Sequence, residues 1–294
     1  MKPGSSALKD FLPAKPFFIG LDSDGCALDS MEAKHKRCFA PAFVEHFELE
    51  AVGDWACEVW AFVNLYSQTR GINRFPALAR ALRLLREHPG AKTRGGTVWD
   101  PEPLEQWIQR GPELSTSSLQ AEVERGNAGL RTVLDWSLAV NRRIAALGVA
   151  PLFPLVRESL ERVSARADVI VVSQTPKEAL AREWKHHGMG GHVRLIAGQE
   201  LGSKTEQISA TAVGRYPAER MLVIGDAPGD LRAARATNAR FYPIIPGQEA
   251  ESWRRLHGEV LDRFLTGRYT NEFEAHMLSE FGAKLPEKAA WERP

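Results

Sequence analysis

Four short runs of branched apolar residues constrain the fold of this chain more than any other feature. They read FFIGL (17–21), VIVVS (169–173), MLVIG (221–225) and FYPII (241–245), and a shorter run, VRLIA (193–197), lies between the second and the third. The apolar residues do not alternate with polar ones, which indicates strands buried on both faces of a parallel sheet. From residue 150 onward the runs alternate with helical patterns. The sequence therefore predicts an α/β fold whose core is a doubly wound, Rossmann-like parallel sheet.

The segment between the first and second runs predicts an inserted domain. It contains no convincing strand, and apolar residues at helical spacing predict helices over 31–48, 54–66, 76–88, 104–110, 119–124 and 130–147. A simple crossover between parallel strands needs only about a dozen residues. We therefore predict a core made of residues 1–27 and 150–294 and an all-helical insertion of residues 28–149, above the sheet edge where open α/β sheets bind ligands. The helical stretches after Pro246 are expected on the outside of the core or at a subunit contact.

Composition excludes several classes of function. The 294 residues are 44% hydrophobic and 26% charged, with 38 basic and 37 acidic side chains, so no bulk charge favours nucleic acid or an anionic membrane. The N-terminus does not read as a signal peptide, and no later run approaches the roughly 18 to 20 apolar residues that cross a bilayer. The three cysteines have no CxxC or zinc-ligand spacing. We expect a cytoplasmic protein, a monomer or homodimer, without nucleic-acid or membrane partners.

Polar residues of particular types follow the predicted strands. The set comprises Asp22, Asp24, Ser173, Lys204, Asp226 and Asp230. Carboxylates that converge on one sheet edge repel each other unless a cation lies among them, and a hard dication with oxygen ligands suits such a site. Mg²⁺ binds through few carboxylates plus a substrate phosphate, whereas the absence of histidine from these strand ends disfavours zinc. The sequence thus predicts Mg²⁺ as cofactor.

Two helix starts are marked by capping patterns. Thr175-Pro176-Lys177-Glu178 follows the second run, and Ser203-Lys204-Thr205-Glu206 opens the helix before MLVIG. Each pairs a hydroxyl residue with an acidic residue three positions later, which is the pattern of a capping box. Both predict helix N-termini just beyond strand ends, where backbone N–H groups attract anions.

In these motifs the chain resembles the haloacid dehalogenase superfamily of phosphatases and phosphotransferases. The DxDG pattern that follows an apolar strand matches Asp22-Ser23-Asp24-Gly25, and the strand that ends in Ser or Thr matches VIVVS with Ser173. The lysine at a helix start matches Lys204, and GDxxxD after a strand matches Gly225-Asp226 through Asp230. All four occur in order over about residues 15–27 and 150–246. The helical insertion resembles the family's alpha-helical cap, as in phosphoglycolate phosphatases.

The resemblance implies a role for each matched residue. Asp22 would be the nucleophile that becomes an aspartyl phosphate, and Asp24 would protonate the leaving oxygen and then activate water. Ser173 would bind a phosphoryl oxygen, and Lys204 would neutralise charge on the transferring group. Mg²⁺ would be bound by Asp22, by the backbone carbonyl of Asp24, and by Asp226 and Asp230. The substrate would be a small phosphorylated metabolite.

Residues that recognise the rest of the substrate are less well marked. The insertion stretch NLYSQTRGINRF is a polar and aromatic segment around Gly71, in which Arg70 could reach an anionic substrate group. Its other candidates are Asn64, Tyr66, Asn73 and Arg74. His35 on the first helix of the insertion and Gln174 beside Ser173 complete the candidates. A solvated joint between two helices explains the same stretch equally well.

Other functions remain open at this point. A phosphomutase uses the same core residues and returns the phosphoryl group to its substrate, and a binding protein could retain the fold without activity. The GQELGSKT stretch nearly matches the nucleotide-binding pattern GxxxxGK[ST], but Ser203 stands where that pattern needs glycine. The carbon-halogen and phosphonate hydrolases of the superfamily lack the second aspartate, which is present here as Asp24.

Overall fold

A computed structural model describes residues 8–94 and 98–292, which divide into two compact units. The first unit takes in residues up to Ser30 and Val149–Lys284, and the second takes in Met31–Gly148 and the residues from Leu285 on. None of the described helices is long and apolar enough to cross a membrane.

The first unit is built on a parallel sheet of five strands, as the apolar runs predict. The strands are β1 (Phe17–Leu21), β2 (Ala167–Val172), β3 (Leu195–Ala197), β4 (Met221–Gly225) and β5 (Arg240–Pro243). Their order in the sheet is β3-β2-β1-β4-β5, with every neighbouring pair parallel. The chain runs outward from β1 to β3 and then returns to continue on the other side with β4. The strand order therefore reverses between β1 and β4, which is the point where such sheets bind ligands.

Over its described residues the second unit contains helices and no strand, which agrees with the predicted helical insertion. We number its helices α1 (Met31–Lys34), α2 (Ala40–His46), α3 (Gly53–Leu65), α4 (Arg74–Glu87), α5 (Pro89–Arg94), α6 (Glu102–Gln109), α7 (Thr116–Glu124) and α8 (Arg131–Ala146). A π-helical segment, His35–Phe39, joins α1 to α2 where the periodicity predicts one continuous helix. The buried core of this unit combines aliphatic side chains with aromatic ones, including Trp60, Trp107 and Trp136.

Helices of the first unit cover both faces of the sheet. They are α9 (Val156–Val163), α10 (Lys177–His186), α11 (Lys204–Thr211), α12 (Pro228–Ala236), α13 (Glu249–Arg255), α14 (Leu261–Leu265) and α15 (Asn271–Lys284), with a π-helical segment, Leu256–Val260, between α13 and α14. On one face Ile19 and its neighbours pack against residues of α9, α10 and α13 to α15, and on the other Gly20 faces Ile208 of α11. This arrangement confirms the doubly wound fold.

The end of the chain differs from its predicted place in the core. Leu285 and Ala289 are buried, and the Trp291 ring packs edge-on against Phe62 of α3 with ring centroids 5.5 Å apart. The backbone N–H of Gln68 donates to the carbonyl of Pro286. The described residues from Leu285 to Glu292 therefore belong to the helical unit, because their apolar side chains pack against that unit rather than against the sheet.

Candidate active site

The ends of β1 and β4 bring two predicted carboxylates together. Leu21 pairs with Ile224, and the backbone N–H of the next residue, Asp22, donates to the Ile224 carbonyl at 2.9 Å. Asp226 follows the last residue of β4 directly. Both side chains are buried, with exposures of 5% for Asp22 and 1% for Asp226. The register of two adjacent strands thus fixes both carboxylates at one edge of the sheet.

Lys204 and Asp230 join this pair from two helix starts. Lys204 Nζ lies 2.8 Å from Asp22 Oδ1 and 2.5 Å from Asp230 Oδ1. Each of the three aspartates, Asp22, Asp226 and Asp230, offers a carboxylate oxygen within 4.8 Å of those of the other two. The structure therefore brings together four of the predicted site residues, three aspartates and a lysine that contacts two of them.

Charge in this cluster is unbalanced. Three buried carboxylates face a single ammonium, which would leave two negative charges if all of them were ionised. Burial raises the pKa of Asp22 well above its ordinary value, and the nearby Asp230 and Asp226 raise it further against the opposing effect of Lys204. Burial alone would lower the pKa of Lys204, but Asp22 and Asp230 outweigh it and raise that pKa. A dication among the carboxylates would remove the imbalance.

Local sequence explains how Asp230 reaches the cluster. A proline, Pro228, begins α12, and Asp230 Oδ2 accepts from the backbone N–H of Ala227 at 3.1 Å, which caps the first turn. A Cβ atom added at Gly225 would lie 2.3 Å from Asp230 Cγ. Glycine is required at this position because the carboxylate lies directly against the end of β4.

The Asp24 carboxylate is held by two hydroxyl groups. Ser30 Oγ donates to its Oδ1 at 2.5 Å, and Thr175 Oγ1 donates to its Oδ2 at 2.7 Å. The side chain of Asp24 is not part of the three-carboxylate cluster. Gly25, the next residue, has a φ of 74°, a conformation that favours glycine and allows a tight turn after β1.

The Thr175 contact corrects one of the predicted helix caps. Residue 176 is the N-cap of α10, no side chain caps it, and the backbone N–H of Lys177 donates to the Glu200 carboxylate instead. The capping pattern is present in the sequence, but the hydroxyl bonds to Asp24, 151 residues away. The second predicted box is confirmed, since Ser203 and Glu206 cap α11 reciprocally.

Ser173 lies in a loop that is joined to the loop in front of Lys204. Its Oγ accepts from the backbone N–H of Thr175 at 3.1 Å. The buried side chain of Gln207 places Nε2 within 3.2 Å of the Ser173 carbonyl and 3.0 Å of the Gly202 carbonyl. Gln174, a predicted substrate residue, also donates to Gly202, at 3.0 Å. The amides of Gln174 and Gln207 thus link the two loops that carry Ser173 and Lys204.

The remaining predicted substrate residues, Asn64, Arg70 and His35, lie in the helical unit, and each has a hydrogen bond to a residue of that unit. Asn64 Nδ2 donates to the Trp60 carbonyl at 2.9 Å, and Arg70 Nη1 donates to the Leu65 carbonyl at 3.0 Å. His35 Nδ1 accepts from Trp60 Nε1 at 3.1 Å. The side chains of Asn64 and Arg70 are buried, so both contribute to the local structure of this unit.

Three residues that form hydrogen bonds around the site are not predicted from the sequence to be site residues. Ser30 and Thr175 bond to Asp24, and Gln207 links the two loops. Thr175 carries a pattern that also fits a helix cap, and Gln207 lies inside a helix, 34 residues from Ser173. Their contacts depend on tertiary folding, which a local pattern does not report.

Comparison with known proteins identifies the fold. No protein-family model matches the chain, and no curated protein matches it significantly. A phosphonoacetaldehyde hydrolase-like protein from Oleispira antarctica, at 13% identity, covers 95% of this chain and 90% of its own with a TM-score of 0.50. A haloacid dehalogenase-like family hydrolase from Streptococcus pneumoniae, at 16% identity, covers 81% of this chain and 90% of its own with a TM-score of 0.40. The chain shares the fold of the Oleispira antarctica protein.

Another solved structure of similar extent is that of a predicted phosphoglycolate phosphatase from Haemophilus somnus. It is 15% identical, covers 81% of this chain and 93% of its own, and has a TM-score of 0.44. A fold by itself does not establish an activity, which depends on the residues of the site.

Proposed function

We propose that this protein is a hydrolase, a magnesium-dependent phosphatase that cleaves a small phosphate monoester through an aspartyl phosphate on Asp22. One observation carries the proposal: Asp22 Oδ1 lies 2.8 Å from Lys204 Nζ, inside a buried cluster with Asp226 and Asp230. A carboxylate is an ordinary nucleophile for phosphoryl transfer when it is held in place beside positive charge.

The cluster fits Mg²⁺ by the chemistry of its donors. All its potential ligand atoms are carboxylate oxygens, which hard dications prefer, and the described cluster includes no histidine or cysteine. Asp22, Asp226 and Asp230 would hold the ion, with the carbonyl of Asp24 as a further ligand. When bound, Mg²⁺ would neutralise negative charge on the phosphoryl oxygens and on the carboxylates that surround them.

In the first step an oxygen of Asp22 attacks the phosphorus of the ester. The bond from phosphorus to the leaving oxygen breaks, and Asp24 gives its proton to that oxygen, so an alcohol departs. Lys204 keeps Asp22 oriented and offsets charge on the phosphoryl group, while Ser173 binds one phosphoryl oxygen. The products are the free alcohol, an aspartyl phosphate at Asp22 and an ionised Asp24.

In the second step water attacks the phosphorus of the aspartyl phosphate. Asp24 takes a proton from this water, the bond between phosphorus and Asp22 breaks, and inorganic phosphate leaves. Both residues return to their starting protonation states, so the cycle balances. The Ser30 and Thr175 hydroxyls hold the Asp24 carboxylate through both steps, because a hydroxyl can donate to the ionised form and accept from the protonated one.

An ester is favoured over a phosphonate by the presence of Asp24. The solved relative from Oleispira antarctica carries the name of a phosphonoacetaldehyde hydrolase-like protein. The resemblance to the superfamily implies that phosphonate hydrolases lack the second aspartate. An alkoxide leaving group needs a proton, and Asp24 is the residue positioned in sequence to supply it.

A phosphatase screen tests this function. The purified protein is incubated with sugar phosphates, nucleotides, phosphoglycolate and p-nitrophenyl phosphate, with Mg²⁺ or with EDTA, and inorganic phosphate is measured. We expect phosphate release from at least one ester with Mg²⁺ and none with EDTA. Phosphate release that EDTA leaves unchanged would contradict the proposal, and an isomerised ester without phosphate release would identify a mutase.

Magnesium is also expected to stabilise the folded protein. An ion that binds the native carboxylate cluster stabilises it by about 2.7 kcal/mol when its concentration is 100 times the dissociation constant. The melting temperature should rise with Mg²⁺ and should not rise with the same ionic strength of NaCl. In Asp226→Asn the rise should be smaller, because one ligand is lost, and an equal rise in both proteins would place the ion elsewhere.

Thr175→Val is expected to slow the reaction by removing one of the two hydroxyls on Asp24. A hydrogen bond to a charged group contributes about 1.5 to 3 kcal/mol, so kcat should fall by about 10- to 100-fold. KM should change little, since Thr175 contacts Asp24 rather than substrate in this scheme. Steady-state kinetics with p-nitrophenyl phosphate measure both constants. Thr175→Ser keeps the hydroxyl and should retain most of the activity; equal losses in both variants would contradict the role of this hydrogen bond.

A further inference from the structure

Arg74 is a half-buried cation of the helical unit that no carboxylate neutralises. It is the first residue of α4, and its contacts with described residues are all to neutral groups. Nη1 donates to Asn141 Oδ1 at 2.7 Å, to Ser137 Oγ at 3.2 Å and to the Ser137 carbonyl at 3.4 Å. Buried charges are normally paired, so this arrangement calls for an explanation.

The guanidinium group uses only one of its nitrogens in these bonds. Nε and Nη2 donate to no residue that the structure describes. These two nitrogens form the edge of the guanidinium that binds a carboxylate through two parallel hydrogen bonds. The edge suited to bidentate recognition of an anion is therefore the one that the protein leaves without an acceptor.

Other arginines of the same unit show the contrast. Arg83, on the same helix, directs Nε and Nη2 at the two carboxylate oxygens of Glu105. Arg143 pairs with Glu45, although the two side chains are 35% and 61% exposed. Burial lowers the pKa of Arg74 to about 10, and no nearby carboxylate opposes this effect. Arg74 thus lacks the carboxylate partner that Arg83 and Arg143 have among the described residues.

The guanidinium is also held rigidly. Its central carbon lies 5.2 Å from the centre of the Phe39 ring, a cation–π arrangement. The Phe39 ring is in turn stacked on His35 and Trp60, with ring centroids 4.8 and 5.7 Å apart. A donor fixed by stacking on one side and by Nη1 on the other loses little entropy when a ligand binds.

We propose that the Nε–Nη2 edge of Arg74 binds the carboxylate of a small-molecule ligand. Two kinds of ligand carry such a carboxylate. One is a phosphate ester that also has a carboxyl group, and the other is a separate carboxylic acid that acts as an effector. The substrate source rests on the proposed phosphatase function, whereas binding to Arg74 does not.

Binding is tested by NMR of the arginine Nε–H groups in the full-length protein. Acetate is titrated into the ¹⁵N-labelled protein, with NaCl at matched ionic strength as the control, and the Arg74 signal is assigned from Arg74→Lys and Arg74→Gln. We expect a saturable shift of the Arg74 signal with acetate only, and no comparable shift for Arg83, which is already paired. The same response of Arg74 to acetate and chloride, or no response, would overturn the proposal.

The source of the carboxylate is tested with two matched esters. Phosphoglycolate and 2-hydroxyethyl phosphate differ in that a carboxylate replaces a hydroxymethyl group. If the substrate is the source, Arg74→Gln lowers kcat/KM for phosphoglycolate by about 10- to 100-fold and leaves that for 2-hydroxyethyl phosphate nearly unchanged. Arg83→Gln should alter neither. Acetate binding without this selectivity assigns the site to an effector, and a protein that binds acetate but cleaves no ester refutes the phosphatase and leaves the anion site standing.

Discussion

Asp22→Asn is expected to lower kcat by about 10⁴-fold or more, because an amide oxygen cannot replace the carboxylate as nucleophile. The substitution is nearly isosteric, so the register of β1 and β4 is retained and the folded protein should still be obtained. Kinetics with the best ester from the phosphatase screen, compared over the same range of Mg²⁺, measure the loss.

The same substitution should cost little stability. Burial disfavours the ionised form of Asp22, and Asp230 and Asp226 add repulsion, so a neutral side chain relieves a cost at neutral pH. It also removes the contact with Lys204, which retains Asp230 as partner. We expect an unfolding free energy within about 1 kcal/mol of the wild type. Activity that survives in a well-folded Asp22→Asn protein would refute the nucleophile assignment.

Asp168→Ala is expected to destabilise the protein, unlike Asp22→Asn. We expect it to lower the free energy of unfolding by about 3 to 5 kcal/mol. Asp168 lies at the start of β2, the end of the strand away from Ser173, and its side chain is fully buried. Its Oδ2 accepts from the backbone N–H groups of Ala14 and Lys15 at 2.7 and 2.9 Å and from Tyr216 Oη at 2.7 Å. Removing the carboxylate leaves these donors unsatisfied, and urea denaturation measures the loss.

Arg194→Gln provides the matched control for this network. Arg194 Nη1 lies 2.6 Å from Asp168 Oδ1, but the arginine side chain is 43% exposed, so the solvent screens its contribution. We expect a loss of about 1 kcal/mol or less. In both variants, kcat of the folded fraction should equal that of the wild type. Equal stabilities for Asp168→Ala and Arg194→Gln would show that the buried hydrogen bonds contribute little.

The sheet and its carboxylates could be predicted from sequence because both signals are local. Buried parallel strands are continuous apolar runs, and Asp22 and Asp226 follow such runs directly. Parallel strands also place their carboxyl ends at one edge, so convergence follows from topology without any knowledge of side-chain contacts. The boundaries shifted by a residue or two: β2, for example, ends at Val172, which leaves Ser173 in the loop after it.

The contacts of the side chains could not be predicted in the same way. The hydroxyl of Thr175 can either accept from a backbone N–H at a helix N-terminus or donate to Asp24, and only the folded chain decides between these two bonds. The π-helical turn at His35–Phe39 adds one residue to a helix whose apolar spacing predicts an uninterrupted one. The last residues from Leu285 on join the helical unit through Trp291 and Phe62, far apart in sequence.

The comparison of Arg70 with Arg74 shows the same limit of sequence-based prediction. The sequence marks the stretch around Gly71 as a candidate for anion recognition and favours Arg70 within it. In the structure Arg70 is buried and one of its bonds goes to a backbone carbonyl of its own segment, whereas the described residues offer no acceptor to the Nε–Nη2 edge of Arg74. Composition and spacing identify the segment, but burial and hydrogen bonding select the residue.

The central claim is that the phosphoryl group passes through Asp22, and trapping the phosphorylated protein tests it most directly. Asp24→Asn lacks the base that activates water, so an aspartyl phosphate should accumulate in this variant. The protein is mixed with p-nitrophenyl phosphate and Mg²⁺, quenched in acid, digested and examined by mass spectrometry. We predict one phosphoryl group on the peptide that contains Asp22, and none in the double variant that also carries Asp22→Asn. Turnover of the wild type without a modified Asp22, or a phosphoryl group on another residue, would contradict the account.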